Sequence, residues 1–289
     1  MRLRAGRREL ELGGPPLLMG VLNATPDSFS DGGGYTDLPA RAAQLVAAGA
    51  AIVDVGGESA VGGRPPVAVE EELARVVPLV ARIAADHDVL VSVDTYKPEV
   101  AEAAVAAGAS MINDVSGLRD ERLAEVCART GAALVLMHTR VEPKGTLLDA
   151  GAYDDVVADV VGFLRARMEV ALAAGVGEEQ LVLDPGPDFA KTPAQTVAVL
   201  RRLDAVRALG RPVLLAVSRK DFLGAITGRG PRDRGAATLA AVESGVRAGA
   251  SILRVHDVAA AADFLAVRSV LEGDRELAPE EGLTPDRYP

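Results

Sequence analysis

The chain has 289 residues, of which 49% are hydrophobic and 25% charged, and this composition excludes a disordered or fibrous protein. Its 31 Lys and Arg residues stand against 41 Asp and Glu residues, and the net charge of −10 argues against nucleic acid and anionic lipid as main partners. A small anionic substrate is still allowed, provided that a local positive pocket binds it.

The single cysteine, Cys127, excludes a disulfide framework and a cysteine-rich zinc site. It lies in a helical segment, where a buried structural thiol is expected rather than a nucleophile. The basic N-terminus is not followed by an apolar core of about 7–15 residues, and no apolar stretch reaches about 18 residues. We therefore expect no signal peptide, no membrane span and a cytoplasmic protein.

Short apolar runs alternate with longer helical patterns along the chain. Most of the runs lack a two-residue alternation of polar and apolar positions, which is typical of strands covered on both faces. The predicted strands are residues 17–22, 51–55, 89–93, 111–112, 133–137, 181–183, 213–217 and 252–255. The predicted helices include 37–48, 69–85, 98–107, 154–174 and 194–209.

Three of the helical patterns end in a glycine just before the next strand, at Gly49, Gly108 and Gly249, as a left-handed helix stop requires. Eight such units predict an α/β fold, a single-domain (β/α)8 TIM barrel over residues 1–272, with a polar tail at 273–289. The first fourteen residues are predicted to form a hairpin that caps the bottom of the barrel. An open doubly wound sheet is the alternative, although no Gly-x-Gly-x-x-Gly follows the first strand.

Polar residues collect at the ends of the predicted strands. In a (β/α)8 barrel the carboxyl ends of all strands meet at one rim, where the chemistry occurs. A single such residue is more often a cap or a turn former, but the set together predicts one pocket. Its members are Asn23, Glu58, Asp94, Asn113, Asp114, His138, Asp184, Ser218, Arg219, Lys220, Arg254 and His256.

The chemistry of this set is bipolar. Asp94, Asn113 and Asp184 can accept the adjacent N–H donors of an amino-pyrimidinone ring. Lys220, Arg254 and His256, with Arg219, could hold phosphate or carboxylate oxygens. Asn23 supplies a neutral oxygen suited to Mg²⁺, which keeps most of its waters. The loop at 24–35, rich in glycine, is either a functional lid or a plain connection.

Read as a set, eight segments in the same order resemble dihydropteroate synthase. The resemblance extends over residues 15–270. Eight matching segments in the family order are far more specific than a single match. They are MGVLNATPDSFSDGG at 19–33, GAAIVDVGGES at 49–59, VSVDTYKP at 91–98, GASMINDVSG at 108–117, LVLMHT at 134–139, LDPGPDFAKT at 183–192, VSRKDFLG at 217–224 and RVHDV at 254–258.

The resemblance implies a reaction and a site. The family joins 6-hydroxymethyl-7,8-dihydropterin pyrophosphate to p-aminobenzoate with the help of Mg²⁺, and its members are commonly homodimers. By the family pattern the pterin is held by Asp94, Asn113, Met137, Asp184, Phe189 and Lys220, and the Mg²⁺–pyrophosphate by Asn23, Arg254 and His256. Ser218 and Arg219 would lie near p-aminobenzoate, and the loop carrying Thr25, Asp27, Phe29 and Asp31 would fold over the leaving group.

The second loop departs from the family pattern. The family has Ser-Thr-Arg-Pro-Gly after its Glu, whereas here Ala60 and Val61 occupy the Thr and Arg positions. In the family that Arg pairs with the Asp matching Asp31, and we expect Arg64 to substitute for it. The departure favours one alternative, a non-catalytic or altered-specificity paralogue. A pterin-dependent methyltransferase is the other alternative, but it should lack the TPDSFSDGG loop and the anion-binding set.

Overall fold

The structure is a computed structural model that describes residues 1–24, 37–59 and 65–277. The strands are β1 (Arg2–Ala5), β2 (Arg8–Glu11), β3 (Leu17–Asn23), β4 (Ile52–Gly56), β5 (Leu90–Asp94), β6 (Met111–Asp114), β7 (Ala133–Met137), β8 (Leu181–Asp184), β9 (Leu214–Leu215) and β10 (Ile252–Val255). The helices are α1 (Leu38–Ala47), α2 (Val69–Asp86), α3 (Pro98–Ala106), α4 (Arg122–Thr130), α5 (Val156–Ala173), α6 (Pro193–Arg201), α7 (Leu203–Arg207), α8 (Asp221–Thr227), α9 (Gly235–Arg247) and α10 (Val258–Leu271). Single 3-10 turns lie at Glu178–Gln180 and Pro231–Asp233.

Eight parallel strands close into a barrel. Their order is β8-β7-β6-β5-β4-β3-β10-β9. A parallel bridge between Leu183 of β8 and Val213, just before β9, joins the two ends, and the Leu183 N–H donates to the Pro212 carbonyl at 2.9 Å. The predicted (β/α)8 barrel is therefore confirmed, and the open doubly wound sheet is excluded.

The N-terminal hairpin closes the lower end of the barrel, as predicted. Strands β1 and β2 pair antiparallel. Leu3, Ala5 and Leu12 are buried in the same apolar cluster as Met19 and Ile52, the lowest inward-facing residues of β3 and β4. Because this end is filled, the site must lie at the carboxyl ends of the strands.

Successive residues of the apolar strands alternate between the helix-facing side and the barrel interior, although the sequence shows no such alternation. In β4, Val53 and Val55 pack outward against the helices, whereas Ile52 packs into the barrel. Asp54, between the two valines, therefore points inward and is fully buried. Since helices cover one face and the barrel interior the other, both faces are dry, and hydrophobicity alone does not separate them.

Most element boundaries agree with the prediction within two residues. The glycine stops are confirmed, since Gly49, Gly108 and Gly249 all have positive φ angles of 99°, 119° and 87°. The predicted helix at 194–209 was wrong in one respect: Arg202 leaves the helical region at φ −121° and ψ 34°, and this divides the segment into α6 and α7. Strand β9 pairs over only two residues, because the chain then turns into the loop that carries Ser218 to Lys220.

Cys127 lies in α4 and is buried, and burial raises the pKa of its thiol to about 12. The predicted burial of this thiol is confirmed, and a raised pKa disfavours the nucleophilic thiolate. Within residues 1–24, 37–59 and 65–277, no helix has the length and hydropathy to cross a membrane. The domain boundary at 272 stays a prediction, since α10 ends at Leu271 and most of the tail lies outside the described residues.

Candidate active site

Strand pairing gathers the inward-facing polar residues at the open end of the barrel. Asp94, the last residue of β5, is paired with Gly56 on one side and Asn113 on the other. Asp184 is paired in the same way with Met137. These residues are separated by up to 90 positions in sequence, and parallel pairing brings them to one rim, as predicted.

Arg254 bridges two carboxylates in the middle of this rim. Its Nε donates to Asp54 Oδ2 at 2.7 Å, and its Nη2 donates to Asp94 Oδ2 at 2.8 Å. Burial opposes the charge on Arg254, yet Asp54 and Asp94 raise its pKa further above its ordinary value. Burial raises the pKa of Asp94 to about 7, although Arg254 acts against that shift. One guanidinium thus serves two acidic groups in a region of low dielectric.

Asp54 is a member of the site that sequence reasoning missed. Besides Arg254 it accepts a hydrogen bond from Asn113 Nδ2 at 3.1 Å, so it orients a predicted pterin contact. Its Oδ1, and Ser92 Oγ beside it in the register, have no hydrogen-bond partner among the described residues. The sequence does contain one indication of its role, because Asp54 is a charged residue inside an apolar strand. An aspartate is rarely buried without a specific partner.

Asp184, Lys220 and Phe189 form the other wall. Asp184 Oδ1 accepts the Gly186 N–H at 2.7 Å, and Lys220 Nζ lies 4.2 Å from the centre of the Phe189 ring. Burial raises the pKa of Asp184 and lowers that of Lys220, and in each case the opposite charge of the other works against the shift. Met137 is buried and lies against Gly186 of this loop, and its contact with a pterin stays a prediction. A buried acid beside a half-buried cation can bind a polar heterocycle strongly.

His256 binds Ser218 and does not add the positive charge that the sequence suggested. Its Nδ1 lies 2.9 Å from Ser218 Oγ, which also accepts the His256 backbone N–H at 3.2 Å. We assign the hydroxyl as the donor to Nδ1, which places the proton of the neutral ring on Nε2. Burial and the charge of nearby Arg254 together lower the pKa of His256 to about 3. His256 is thus a neutral hydrogen-bond donor at pH 7.

The Ser218–Lys220 turn is held from outside the site by Arg234. The Arg234 Nη1 donates to the carbonyls of Arg219 and Lys220 at 2.8 and 3.0 Å. Arg219 has a positive φ of 60°, and its N–H donates to Thr238 Oγ1 at 3.1 Å. Its side chain is exposed at the rim, so it can reach a carboxylate that enters from solvent.

Three strand-end residues do not face the pocket, contrary to the sequence prediction of one convergent set. Asp114 points outward and accepts the N–H groups of Ser116, at 2.8 Å, and Leu118 in the following turn. His138 contacts a buried lysine, and Glu58 belongs to an ion-pair cluster beside the rim. For Asp114 and His138 the reason is the pleat, because residues one position apart in a strand project to opposite faces. Glu58 lies beyond the end of β4 and is bound there by Lys97 and Lys144.

Several predicted residues lie outside the described ranges. They are Thr25, Asp27, Phe29 and Asp31 of the first loop, and Ala60, Val61 and Arg64 of the second. Asn23, which ends β3 at the open rim, is described and exposed. The loops that bear the undescribed residues both follow strands that end at this rim.

A buried ion-pair cluster anchors both sides of the second loop. Lys97 Nζ binds Glu58 at 2.6 Å, the Val67 carbonyl at 2.8 Å, and Glu72. Lys144 Nζ also binds Glu58, at 3.0 Å. Lys97 therefore links residues that precede and follow the loop.

Replacing Lys97 by Met is expected to lower the free energy of unfolding by about 3–5 kcal/mol, because Glu72, only 1% exposed, would be left buried without its cation. Urea denaturation measures the loss. The double variant with Glu72→Leu should recover much of the stability, since it removes the stranded charge. A Lys97→Met protein as stable as wild type would contradict this account.

Comparisons with known proteins agree with the geometry. The profile of the family described as pterin binding enzyme matches residues 19–256. A dihydropteroate synthase of Bacillus subtilis is 44% identical over 246 residues, which are 84% of each chain. A structure of Xanthomonas albilineans dihydropteroate synthase with 4-aminobenzoic acid has a TM-score of 0.86 at 43% identity and covers 94% of this chain and 99% of that one. The same enzyme in complex with 7,8-dihydropteroate has a TM-score of 0.83, with the same identity and coverage.

Proposed function

Since the chain belongs to the pterin-binding enzyme family and functions as a dihydropteroate synthase, we propose how its own residues perform that condensation. The substrates are 6-hydroxymethyl-7,8-dihydropterin pyrophosphate and p-aminobenzoate, and the products are 7,8-dihydropteroate and pyrophosphate. One observation carries the proposal: carboxylates and cations that are buried or half-buried share the open rim of the barrel, and Arg254 bridges two of the carboxylates.

The acidic wall is proposed to bind the pterin. Asp94 and Asp184 accept the ring and amino N–H donors, and Asn113, held by Asp54, contributes an amide. Phe189 and Met137 pack against the ring, and Lys220 donates to a ring acceptor. Asn113 and Asp184 are buried and Asp94 and Lys220 are half-buried, so each hydrogen bond to a charged partner contributes about 1.5–3 kcal/mol.

The basic residues are proposed to hold the pyrophosphate. Neither carboxylate uses Arg254 Nη1, so this nitrogen can donate to a phosphate oxygen without breaking the bridge. His256 adds a neutral donor from Nε2. Arg219, exposed beside Ser218, is placed to receive the carboxylate of p-aminobenzoate.

Asn23 is the described residue that fits Mg²⁺. Within residues 1–24, 37–59 and 65–277 no group of three His, Cys, Asp or Glu side chains is placed to hold a metal. Mg²⁺ keeps several waters and takes few protein ligands, so one exposed amide oxygen suits an ion held mainly by water and pyrophosphate. Such an ion would neutralise charge on the leaving group.

The reaction needs little acid–base help from the protein. The C–O bond to pyrophosphate breaks and its electron pair leaves with the oxygen, which Arg254 and His256 stabilise. The pterin methylene then carries positive charge, and ionised Asp94 stabilises it. The neutral arylamine forms the C–N bond and releases its proton to solvent. Thr25, Phe29, Asp31 and Arg64 are proposed to cover the site and exclude water.

Pyrophosphate release tests this function directly. We expect release from the pterin substrate that depends on Mg²⁺ and is accelerated by p-aminobenzoate, with dihydropteroate formed in equal amount. No release under any condition would indicate the non-catalytic paralogue that the altered second loop favours. Methyl transfer from a methylated pterin, without pyrophosphate chemistry, would indicate the methyltransferase.

We further propose a homodimer in the cytoplasm, with no nucleic-acid or membrane partner. The dimer is supported by the family resemblance alone. The net charge of −10 supports the absence of a nucleic-acid or membrane partner. The single buried cysteine supports the cytoplasmic location. Sedimentation equilibrium over a range of concentrations tests the dimer.

A further inference from the structure

A buried lysine that the reaction does not use lies behind the pterin wall. Lys191 is 1% exposed, and its Nζ contacts the carbonyls of Gly186 at 2.9 Å and Phe189 at 3.1 Å, and His138 Nδ1 at 2.7 Å. An ammonium has three protons, and each of them has one acceptor here. A fully buried lysine is rare, so its placement calls for a specific role.

The ring of His138 connects Lys191 to Asp159 of α5. Its Nε2 lies 2.9 Å from Asp159 Oδ1, and Asp159 is also bound by Arg140. Burial and the charge of Lys191 lower the pKa of His138 to about 4, so the ring is neutral. With Nδ1 accepting from Lys191, Nε2 bears the proton and donates it to Asp159.

The segment that Lys191 holds, residues 185–190, is termed the pterin loop. Its backbone has positive φ at Gly186 (64°), Asp188 (64°) and Ala190 (52°), two of them side-chain-bearing residues for which this region is unfavourable. A Cβ on Gly186 would lie 2.1 Å from the His138 carbonyl, so the loop is packed tightly there. Such a loop keeps one conformation only when its surroundings impose it.

Hydrogen bonds impose that conformation from several directions. Lys191 binds two of the loop carbonyls, and the Tyr153 hydroxyl donates to a third, Ala190, at 2.7 Å. Asp188 accepts from the Phe222 N–H at 3.2 Å, and this ties the loop to the turn that bears Lys220. The loop directly follows Asp184 and presents Phe189 to Lys220, so its shape sets the distances among all three pterin contacts.

We propose that Lys191 is a positioning residue for the pterin subsite, whose ammonium holds the pterin loop so that Asp184, Phe189 and Lys220 face one ligand together. The inference rests on the proposed function, since it assumes that these residues bind the pterin. Burial lowers the pKa of Lys191 to about 7 and Asp184 opposes this, so the charge depends on the acceptors around it.

Lys191→Met tests the role, because Met keeps much of the length and apolar volume but donates no hydrogen bond. We expect the dissociation constant for 6-hydroxymethyl-7,8-dihydropterin pyrophosphate, from calorimetry, to rise about tenfold or more. The KM for p-aminobenzoate should stay within about twofold, since no described contact of Lys191 reaches Ser218 or Arg219. A smaller loss of the same kind is expected for His138→Phe, which keeps the ring packing against Phe163 and removes one acceptor.

Gln180→Met is the matched control. Gln180 is also 1% exposed, and its Nε2 donates to the carbonyls of Cys127 in α4, at 3.0 Å, and Ala132 just before β7, at 2.7 Å. Both carbonyls lie away from the rim. It should lower the melting temperature but leave pterin binding unchanged.

An unchanged pterin dissociation constant in folded Lys191→Met overturns the proposal. If that variant does not fold, the same result in His138→Phe overturns it. A loss of pterin binding equal to that of Gln180→Met would show a merely structural role and also overturns it. Failure of the proposed function is distinct, because wild type and Gln180→Met would then not bind the pterin substrate at all.

Discussion

Replacing Asp184 by Asn or Lys220 by Ala is expected to lower kcat/KM by about a hundredfold or more in each case, with the fold retained. Both side chains face the pocket from its buried wall, and each counters the shift that burial imposes on the pKa of the other. Asn presents an N–H₂ where the carboxylate accepts, so one pterin donor loses its partner. Ala removes the cation that lies over Phe189.

Steady-state kinetics with both substrates and circular dichroism together check this result. Asp120→Asn is a suitable control, since Asp120 pairs with Arg122 outside the pocket and should not alter turnover. If either Asp184→Asn or Lys220→Ala keeps a near-normal kcat/KM, the assignment of the pterin wall is wrong.

Replacing Arg254 by Met is expected to damage stability and activity together. Without the guanidinium, Asp54 and Asp94 would face each other in a dry interior, and the free energy of unfolding should fall by about 3–5 kcal/mol at pH 8. Turnover should fall by about a hundredfold or more as well, since the pyrophosphate loses its central donor. Arg129→Met, which breaks an exposed pair with Glu102, should cost about 0–1 kcal/mol.

The stability loss in Arg254→Met should depend on pH. Burial already raises the pKa of Asp94 to about 7, and removal of its cation raises it further. The folded variant then holds a proton that the unfolded chain has released, so its stability falls as the pH rises from about 5 to 8. Wild type shows the same fall only up to about pH 7, where its own Asp94 is ionised, so the difference between the two proteins grows above that pH. Urea denaturation at both pH values measures this slope.

A double variant separates the two effects of Arg254. Arg254→Met with Asp54→Leu should recover stability, because one of the stranded carboxylates is gone, but not activity. A single Arg254→Met protein with wild-type stability at pH 8 would show that the bridge contributes nothing to the fold.

Much of the fold could be predicted from the sequence because the signals are local. Apolar runs, helical periodicity and glycine stops each depend on neighbouring residues, and their eightfold repetition indicates a closed barrel. The same holds for Asp94, Asn113, Asp184 and Lys220, since strand ends mark the rim. The break at Arg202 could not be predicted, because no proline or glycine marks it.

The sequence by itself determined the barrel, the family and the residues at its rim. Only the tertiary structure decided which of those residues face the ligand. It turned Asp114 and His138 away from the pocket and brought Asp54 within 2.7 Å of Arg254, 200 positions later in the chain. The physical reason is that both faces of a strand in this barrel are buried. The hydrophobicity of a residue therefore does not show whether it faces the barrel interior or the helices. A buried charge such as Asp54 or Lys191 is then explained by its partners, which only folding brings together.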